Sequence, residues 1–247
     1  MLALALSSGP ASTASPGPMA SPAPSLIPSD RFEFAATGPL HEPRIHAAAV
    51  LLHDGRVIVI GGYDVASAEI WDPATGQWSM SGSMSGPSEG ATATLLPDGR
   101  VLVVGGHDNG GSRPAEVWDP TTGAFSPVGA PVDDLPQAVP SASPGPVASA
   151  DGASLTRLTD GRVLVAGGWV KADPGCGPVC KMLPTDSAAI WDPATGVSTP
   201  VARMNQPRTE HDALLLPDGR VLLVGSHTHG DVDSTAELFQ PGTAPLP

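Results

Sequence analysis

The 247-residue sequence is poor in lysine, tyrosine, cysteine and long apolar runs. It contains two lysines, one tyrosine and two cysteines, and aromatic residues make up 4% of the chain. No run of 18 apolar residues is present, so no membrane-spanning helix is expected. The 12 basic and 25 acidic residues give a formal net charge of −13. This charge argues against nucleic acid or an anionic membrane surface as the main partner.

The two cysteines, Cys176 and Cys180, lie together in the segment GCGPVC. A structural zinc site would need further ligands, and none stands nearby at the usual spacing. We therefore predict a local disulfide, which suits an oxidising compartment. Together with the N-terminal composition, the cysteines predict a secreted, cell-surface or periplasmic protein.

Residues 1–30 are mostly serine, proline, alanine and glycine. Burial cannot offset the ordering entropy of such a segment, so we expect it to be disordered. Its first residues, LALAL, are similar to the end of an export signal, although no basic residue precedes them and the apolar run is short. The folded domain is predicted to cover residues 31–247.

Glycine and proline are abundant, at 29 residues each, and they punctuate a sequence that repeats four times. The copies are LLHDGRVIVIGG from Leu51, LLPDGRVLVVGG from Leu95, RLTDGRVLVAGG from Arg157 and LLPDGRVLLVGS from Leu215. Asp-Gly between two apolar runs indicates a hairpin, because glycine takes positive φ without steric cost. Segments such as AEIWDPATGQW follow each copy and contain a second turn. The predicted unit is therefore four antiparallel strands.

The second strand of each copy is continuously apolar, which is typical of a strand buried on both faces. Sheets stacked around an axis bury both faces, so the repeat predicts a β-propeller. Successive DGR turns lie 44, 62 and 58 residues apart. The excess over the shortest spacing falls into two insertions, Ser126–Gly152 and Trp169–Ser187, so the set of strands need not change.

The repeat resembles the kelch repeat in three features. The second strand ends in a glycine pair, an acid–aromatic pair such as Glu69 with Trp71 follows, and an aromatic residue such as Trp78 opens strand four. The resemblance covers residues 31–247 and weakens in copy three, where Ala189 replaces the acid. It implies an all-β propeller of four-stranded antiparallel blades, four of them in this chain.

The fourth copy stops after its third strand. The segment Arg31–Leu40 (RFEFAATGPL) resembles a fourth strand, and we expect it to pair with the last blade and close the ring. The alternative is that the chain is a fragment, or that two chains complete one ring. An incomplete ring would lead us to expect self-association.

The loops that vary most between copies leave the blades on one face, which is typical of a binding surface on a rigid scaffold. We predict that the residue after each glycine pair contributes to a ring at the mouth of the propeller. These residues are Tyr63, His107, Trp169 and His227. Such a ring would suit a sugar or another polar ligand with apolar patches. The alternative is that they cap the core and fill the axis.

Arg44 and Arg208 occupy equivalent positions, ten residues before the aspartate of their DGR turns. An arginine entering strand one can bind a carboxylate through two hydrogen bonds, so both are candidate ligand-binding residues. The alternative is an ion pair with an acid of a neighbouring blade. The repeated acids are Glu69, Glu116 and Glu237.

The segment SHTHGDVD is the densest cluster of metal-binding residue types. His227 and His229 share one face of an extended chain, and Asp231 follows, a set adequate for a divalent metal. The alternative is a solvated loop.

No nucleophile, metalloprotease or nucleotide-binding motif stands in a convincing context. Copper-radical oxidases of kelch type use two tyrosines, whereas this chain has only Tyr63. We predict a non-catalytic binding or scaffold module for a protein or glycan, with no cofactor. The alternative is a sugar-converting or metal-dependent enzyme that uses His107, Trp169, His227 and Arg208.

Overall fold

The structure is a computed structural model that describes residues 37–108, 111–112, 114–128, 148–171, 181–228 and 231–242. Within these ranges every regular element is a β-strand, which confirms the predicted all-β class. None of the described residues forms a helix that could cross a membrane. The predicted N-terminal disordered segment and the predicted disulfide, Cys176 with Cys180, lie outside the described residues.

The strands form four successive antiparallel sheets. Sheet 1 contains β1 (Ala48–Leu51), β2 (Val57–Ile60), β3 (Ser67–Asp72) and β4 (Gln77–Ser83). Sheet 2 contains β5 (Thr92–Leu95) and β6 (Val101–Val104), then, after a small hairpin of β7 (His107–Asp108) and β8 (Gly111–Ser112), β9 (Glu116–Trp118) and β10 (Phe125–Pro127). Sheet 3 contains β11 (Ala148–Arg157), β12 (Val163–Lys171), β13 (Met182–Pro184), β14 (Ala188–Asp192) and β15 (Val197–Pro200). Sheet 4 contains β16 (Asp212–Leu215), β17 (Val221–Thr228) and β18 (Asp231–Phe239).

The Asp-Gly turns join the first and second strands as predicted. In sheet 1, Leu51 pairs with Val57, and Gly55 adopts a φ of 87°. The Asp54 carboxylate accepts hydrogen bonds from the backbone N–H and the Nε of Arg56 at 3.0 and 2.8 Å. The same aspartate–arginine contact closes the turn in the other three sheets. Each hairpin is therefore fixed by residues within its own turn.

Successive sheets pack face to face through three apolar clusters. We call the face that packs on the following sheet the trailing face, and the face that packs on the preceding sheet the leading face. Ile58 and Ile60, on the trailing face of sheet 1, are both fully buried and cluster with Val101 and Val103, on the leading face of sheet 2. Burying an aliphatic side chain of this size contributes about 1.5–3 kcal/mol.

The first strands of successive sheets lie side by side. β1 contacts β5, β5 contacts β11, and β11 contacts β16. The indole N–H of Trp118, on sheet 2, also donates to Ser81 Oγ of sheet 1 at 3.2 Å. This arrangement agrees with kelch blades stacked around a common axis.

Sheet 4 contains three strands in the described residues, as the sequence predicts. Of the segment expected to supply its fourth strand, residues 31–36 lie outside the described residues, and Thr37–Leu40 are irregular. The blade count and the closure of the ring therefore stay predictions. The insertion Trp169–Ser187 differs from expectation, because it contains the additional strand β13. The β7–β8 hairpin is a further addition, in the loop after the second strand of sheet 2 and outside both predicted insertions.

Candidate functional site

The candidate site lies at the end of the sheets where each first strand begins and each second strand ends. We call this end the mouth. The Gly90 N–H donates to the carbonyl of His46 at 3.1 Å, and the Glu210 N–H donates to the carbonyl of Gly152 at 2.7 Å. These four residues are equivalent in the repeat, since each lies eight positions before the aspartate of its DGR turn. The bonds tie sheet 1 to sheet 2, and sheet 3 to sheet 4, at the mouth.

All four of these residues have positive φ, but two of them are not glycine. His46 adopts a φ of 54° and Glu210 a φ of 50°. A side chain in this left-handed region costs about 1–2 kcal/mol, and such conformations cluster at functional sites. Sequence reasoning missed this strain, although glycine at the two equivalent positions is a visible signal of it.

Tyr63 is the most exposed aromatic residue of the described mouth. It is 54% exposed, and its N–H donates to the Ile45 carbonyl at 3.0 Å. Ile45 is itself 60% exposed. Beside them the imidazole Nδ1 of His46 lies 2.8 Å from Glu89 Oε1. Apolar and hydrogen-bonding groups thus share one accessible surface.

The other predicted ring residues lie at the same end of their sheets. Trp169 is half-buried in β12, and its indole lies against Gly152, where an added Cβ would be 3.2 Å from the ring. His107 is in β7 and His227 is in β17, where its backbone pairs with Val232. The side chains of these two histidines are outside the described part of the structure, so the ring of side chains stays a prediction.

Arg44 is buried in an ion pair. Its Nε and NH2 donate to Glu69 Oε1 at 3.3 and 3.0 Å, and the two side chains are 1% and 0% exposed. Its NH1 donates to the carbonyls of Gly61 and Ser67 at 3.0 and 2.6 Å. The guanidinium group therefore crosses the end of β2 to reach β3 of its own sheet.

Arg208 repeats this arrangement in sheet 4. It contacts Glu237 Oε1 at 3.0 Å, and its NH1 donates to the carbonyls of Gly225 and Thr235 at 2.7 and 3.1 Å. Both arginines thus form ion pairs with a repeated acid, which was the alternative to ligand binding. The expectation that the acid comes from a neighbouring blade is wrong, because strands one and three meet at the same end of one sheet and the arginine spans the short distance between them. Both guanidinium groups are buried in these contacts, and a ligand role for the two arginines stays a prediction.

The two middle sheets lack this pair. In sheet 2, Ser88 replaces the arginine, and Glu116 accepts hydrogen bonds from the N–H and Oγ of Ser85 at 3.0 and 2.6 Å. In sheet 3, alanine occupies both positions, at Ala150 and Ala189. The arginine and the acid are therefore both present in sheets 1 and 4 and both absent in sheet 3, whereas sheet 2 retains only the acid.

The contacts of Glu69 fix its charge. Burial by itself raises the pKa of this carboxyl, but hydrogen bonds from His41, Arg44 and the backbone N–H of Glu42 outweigh it and lower the pKa to about 2. Burial also raises the pKa of Glu237, and bonds from the Asn205 and Gln206 amides and from Arg208 lower it overall. Both acids therefore remain ionised at neutral pH, as a buried arginine requires.

A serine–histidine pair lies behind the mouth, between sheets 3 and 4. Ser154 Oγ is 2.9 Å from His211 Nε2, and both residues are buried. His211 Nδ1 is buried without a hydrogen-bond partner in the described residues. Burial, together with the nearby charge of Arg208, lowers the pKa of His211 to about 4. The pair is thus an uncharged interior contact, and sequence reasoning missed it because the two residues lie 57 positions apart.

We expect His211 to make stability depend on pH. Its pKa is lower in the folded protein than in the unfolded chain, where it is 6.5. The unfolded state therefore binds the proton more readily, and stability falls as pH decreases from about 6.5 towards 4. Between pH 7 and pH 5 the loss should be about 2 kcal/mol, measured by urea unfolding. His211→Gln should show a smaller loss over this interval, and an unchanged pH dependence in that variant would contradict the assignment.

The described residues contain no group of three or more metal-binding side chains. The predicted metal site is not tested by this finding. His229 lies outside the described residues, and the side chains of His227 and Asp231 are also not described. The metal site stays a prediction.

Comparison with known proteins identifies one motif. Residues 44–85, which run from the buried arginine through sheet 1, match the family model of the Kelch motif. None of the curated proteins that were compared matches the chain. Kelch motifs are generally found in protein-binding and scaffold modules. The match and the repeated antiparallel sheets support the resemblance predicted from the sequence: the chain carries a Kelch motif at residues 44–85, and the sheets of the described residues are consistent with kelch blades.

Proposed function

We propose that the chain is a non-catalytic binding module that holds a protein or glycan ligand at the mouth. The observation that carries the proposal is the exposed surface of Ile45, His46 and Tyr63, mounted on a sheet that matches the Kelch motif. Large exposed side chains on a rigid scaffold are typical of a recognition surface. The kelch motif favours a protein ligand, whereas the aromatic residues Tyr63 and Trp169 would also stack on a sugar.

The ligand is expected to be neutral or basic. Glu89 and Glu210 lie at the mouth with Asp64, which adopts a φ of 56° beside Tyr63. With a net charge of −13, the protein as a whole repels acidic partners. We further propose that the protein acts outside the cytoplasm and needs no cofactor.

Tyr63→Ala is expected to weaken ligand binding by about tenfold or more, because exposed aromatic residues contribute strongly to recognition. The control is His53→Ala, since His53 is exposed beside the Asp-Gly turn at the opposite end of sheet 1. Glycan arrays and affinity capture of extracellular proteins would compare the wild type with both variants. Ligands that Tyr63→Ala no longer binds and His53→Ala still binds would support the mouth as the binding site. Ligands that bind equally to all three proteins would place the site elsewhere.

Chelation distinguishes the metal-dependent alternative from binding that needs no metal. If His227, His229 and Asp231 hold a required metal, EDTA should abolish binding. We expect binding to persist in EDTA, with Tyr63→Ala still weaker than the wild type.

A further inference from the structure

The trailing face of sheet 4 is exposed, although the same face is buried in the other three sheets. Val224 is 41% exposed, while its equivalents Ile60, Val104 and Ala166 are 0%, 1% and 1% exposed. Leu238 is 46% exposed, and its three equivalents are each 8% exposed or less. Those equivalents are Ile70, Val117 and Ile190. Side chains that form the core elsewhere therefore face solvent here.

All three strands of sheet 4 carry this face. Leu214, Leu222 and Leu238 are paired in register on neighbouring strands, and Leu214 is 58% exposed. Asp212 is the charged residue of this face and lies at its mouth end, where the equivalent residue of sheet 3 is the polar Ser154. Leu214, Leu222, Val224 and Leu238 on this face are aliphatic, and so are their equivalents at the buried junctions, except that Thr94 and Thr156 correspond to Leu214.

The leading face of sheet 1 is the counterpart. Val57 and Val59 are partly exposed, whereas their equivalents in sheet 2, Val101 and Val103, are 0% and 2% exposed. Leu51 on the same face is 65% exposed. In each of the following sheets this face packs against a trailing face.

The indole of Trp71 lies on the leading face of sheet 1. Its Nε1 is buried and has no hydrogen-bond partner in the part of the chain that the structure describes. Its equivalent in sheet 2, Trp118, donates to Ser81 Oγ on the preceding sheet, whereas Trp191 in sheet 3 also lacks a partner. Trp71 thus lacks the hydrogen bond that a preceding sheet supplies to Trp118. The exposed aliphatic faces are the stronger evidence that a partner sheet is missing.

These two faces do not cover each other within one chain. The first strands β1 and β5, β5 and β11, and β11 and β16 pack together, whereas β16 and β1 make no contact of comparable extent in the described residues. The described residues thus leave one trailing face and one leading face without a partner sheet. A large apolar patch of this kind on a protein surface marks an interaction site.

We propose that the occupant of both faces is a second copy of this chain. The trailing face of sheet 4 in each copy packs on the leading face of sheet 1 in the other, in the manner of the three junctions inside the chain. Two such junctions close the pair around a two-fold axis, with no face left over. The result is a ring of eight sheets, within the range that propellers adopt. This inference is independent of the ligand proposed for the mouth.

The full chain should have the mass of two copies in light scattering and sedimentation. Leu214→Glu places a charge on the trailing face, and Leu51→Lys places one on the leading face. Each variant alone should give single copies with an unchanged β-sheet circular dichroism spectrum, because both residues are exposed within one chain. The control is Val197→Glu, a change at a residue that is 58% exposed on the outer strand of sheet 3, and it should leave the pair intact.

Mixing the two variants tests the head-to-tail arrangement. Val50 and Leu95, the equivalents of Leu214 and Leu51 at the first junction, belong to one cluster. A mixed pair therefore has one junction in which the two introduced charges, of opposite sign, lie together, while its second junction has the native residues. Equimolar Leu214→Glu and Leu51→Lys chains should recover at least half of the two-copy species, although neither does so alone.

Three results would overturn the proposal. A wild-type chain that is a single copy at micromolar concentration excludes the pair and favours closure within one chain. Pairing by Leu51→Lys alone, but not by Leu214→Glu alone, shows that two sheet 4 faces meet instead. Assemblies larger than two copies show that the junctions do not close around a two-fold axis.

Discussion

Glu69→Gln is expected to destabilise the protein by about 3 kcal/mol, because it removes the buried counter-charge of Arg44 and leaves only the Glu42 carboxylate, which lies 3.4 Å away and is 46% exposed. The Arg44 side chain is 1% exposed, so water cannot replace the lost carboxylate without opening the sheet. The variant also loses strong acceptors for the backbone N–H groups of His41 and Glu42, which lie 2.8 and 3.2 Å from Glu69. Chemical denaturation at pH 7 would measure the change in the free energy of unfolding.

Glu116→Gln is the matched control for Glu69→Gln. Glu116 occupies the equivalent position in sheet 2 and is also buried, but the partner that the structure gives it is the uncharged Ser85. Its replacement should cost about 1–2 kcal/mol, as expected for hydrogen bonds without a buried counter-charge. Equal losses in the two variants would show that the charge of Arg44 does not set the cost. Removing both charges, as sheet 3 does with Ala150 and Ala189, should recover part of the loss.

Gly167→Ala is expected to cost about 3–5 kcal/mol, from left-handed strain together with overpacking. Gly167 has a φ of 70°, and an added Cβ would lie 2.3 Å from the Arg208 carbonyl oxygen and 2.8 Å from the His211 ring. The carbonyl belongs to backbone that enters sheet 4, so it cannot turn away as a side chain would. The methyl group would therefore separate sheets 3 and 4 at the mouth. The melting temperature and the denaturant midpoint should both fall.

Gly196→Ala separates the two contributions. Gly196 has a similar φ of 72° in the same sheet, but nothing lies within 4 Å of an added Cβ. Its replacement should cost only the conformational strain of about 1–2 kcal/mol. If Gly167→Ala is no worse than Gly196→Ala, the close contact between sheets 3 and 4 does not add to the cost.

The turns and strands of this protein could be predicted from local sequence because each hairpin is specified within about a dozen residues. Asp54, Gly55 and Arg56 close the first turn together with backbone hydrogen bonds to Leu52, and the same residue types recur in every copy. The strand pairing then follows from the apolar runs on either side. These are short-range determinants, so a single sequence displays them.

The partner of Arg44 could not be placed from sequence because it depends on which strand ends share an edge. Arg44 and Glu69 lie 25 positions apart, and a contact at that separation is fixed by the sheet and not by spacing. In the sequence the glycine pair indicates only the end of a strand, whereas the structure shows its steric role. An added Cβ on Gly62 would lie 2.9 Å from the Ile45 carbonyl and 3.4 Å from Arg44 Cβ. The glycines therefore leave room for the chain that carries the arginine.

The exposed faces of sheets 1 and 4 were also invisible in the sequence. Val57 and Val221 are each followed by three aliphatic residues and a glycine, yet Val57 is partly exposed and Val221 is fully buried. Repeated sequences give each sheet the same two apolar faces, but only the order of packing decides which faces remain uncovered.

The aspartate–arginine contact inside each Asp-Gly turn bears on how such a protein can change its length over evolutionary time. Because Asp54 neutralises Arg56 within a single turn, a duplicated hairpin brings its own counter-ion with it. Gene duplication or deletion can then add or remove a whole blade without leaving a turn arginine in a neighbouring blade unpaired.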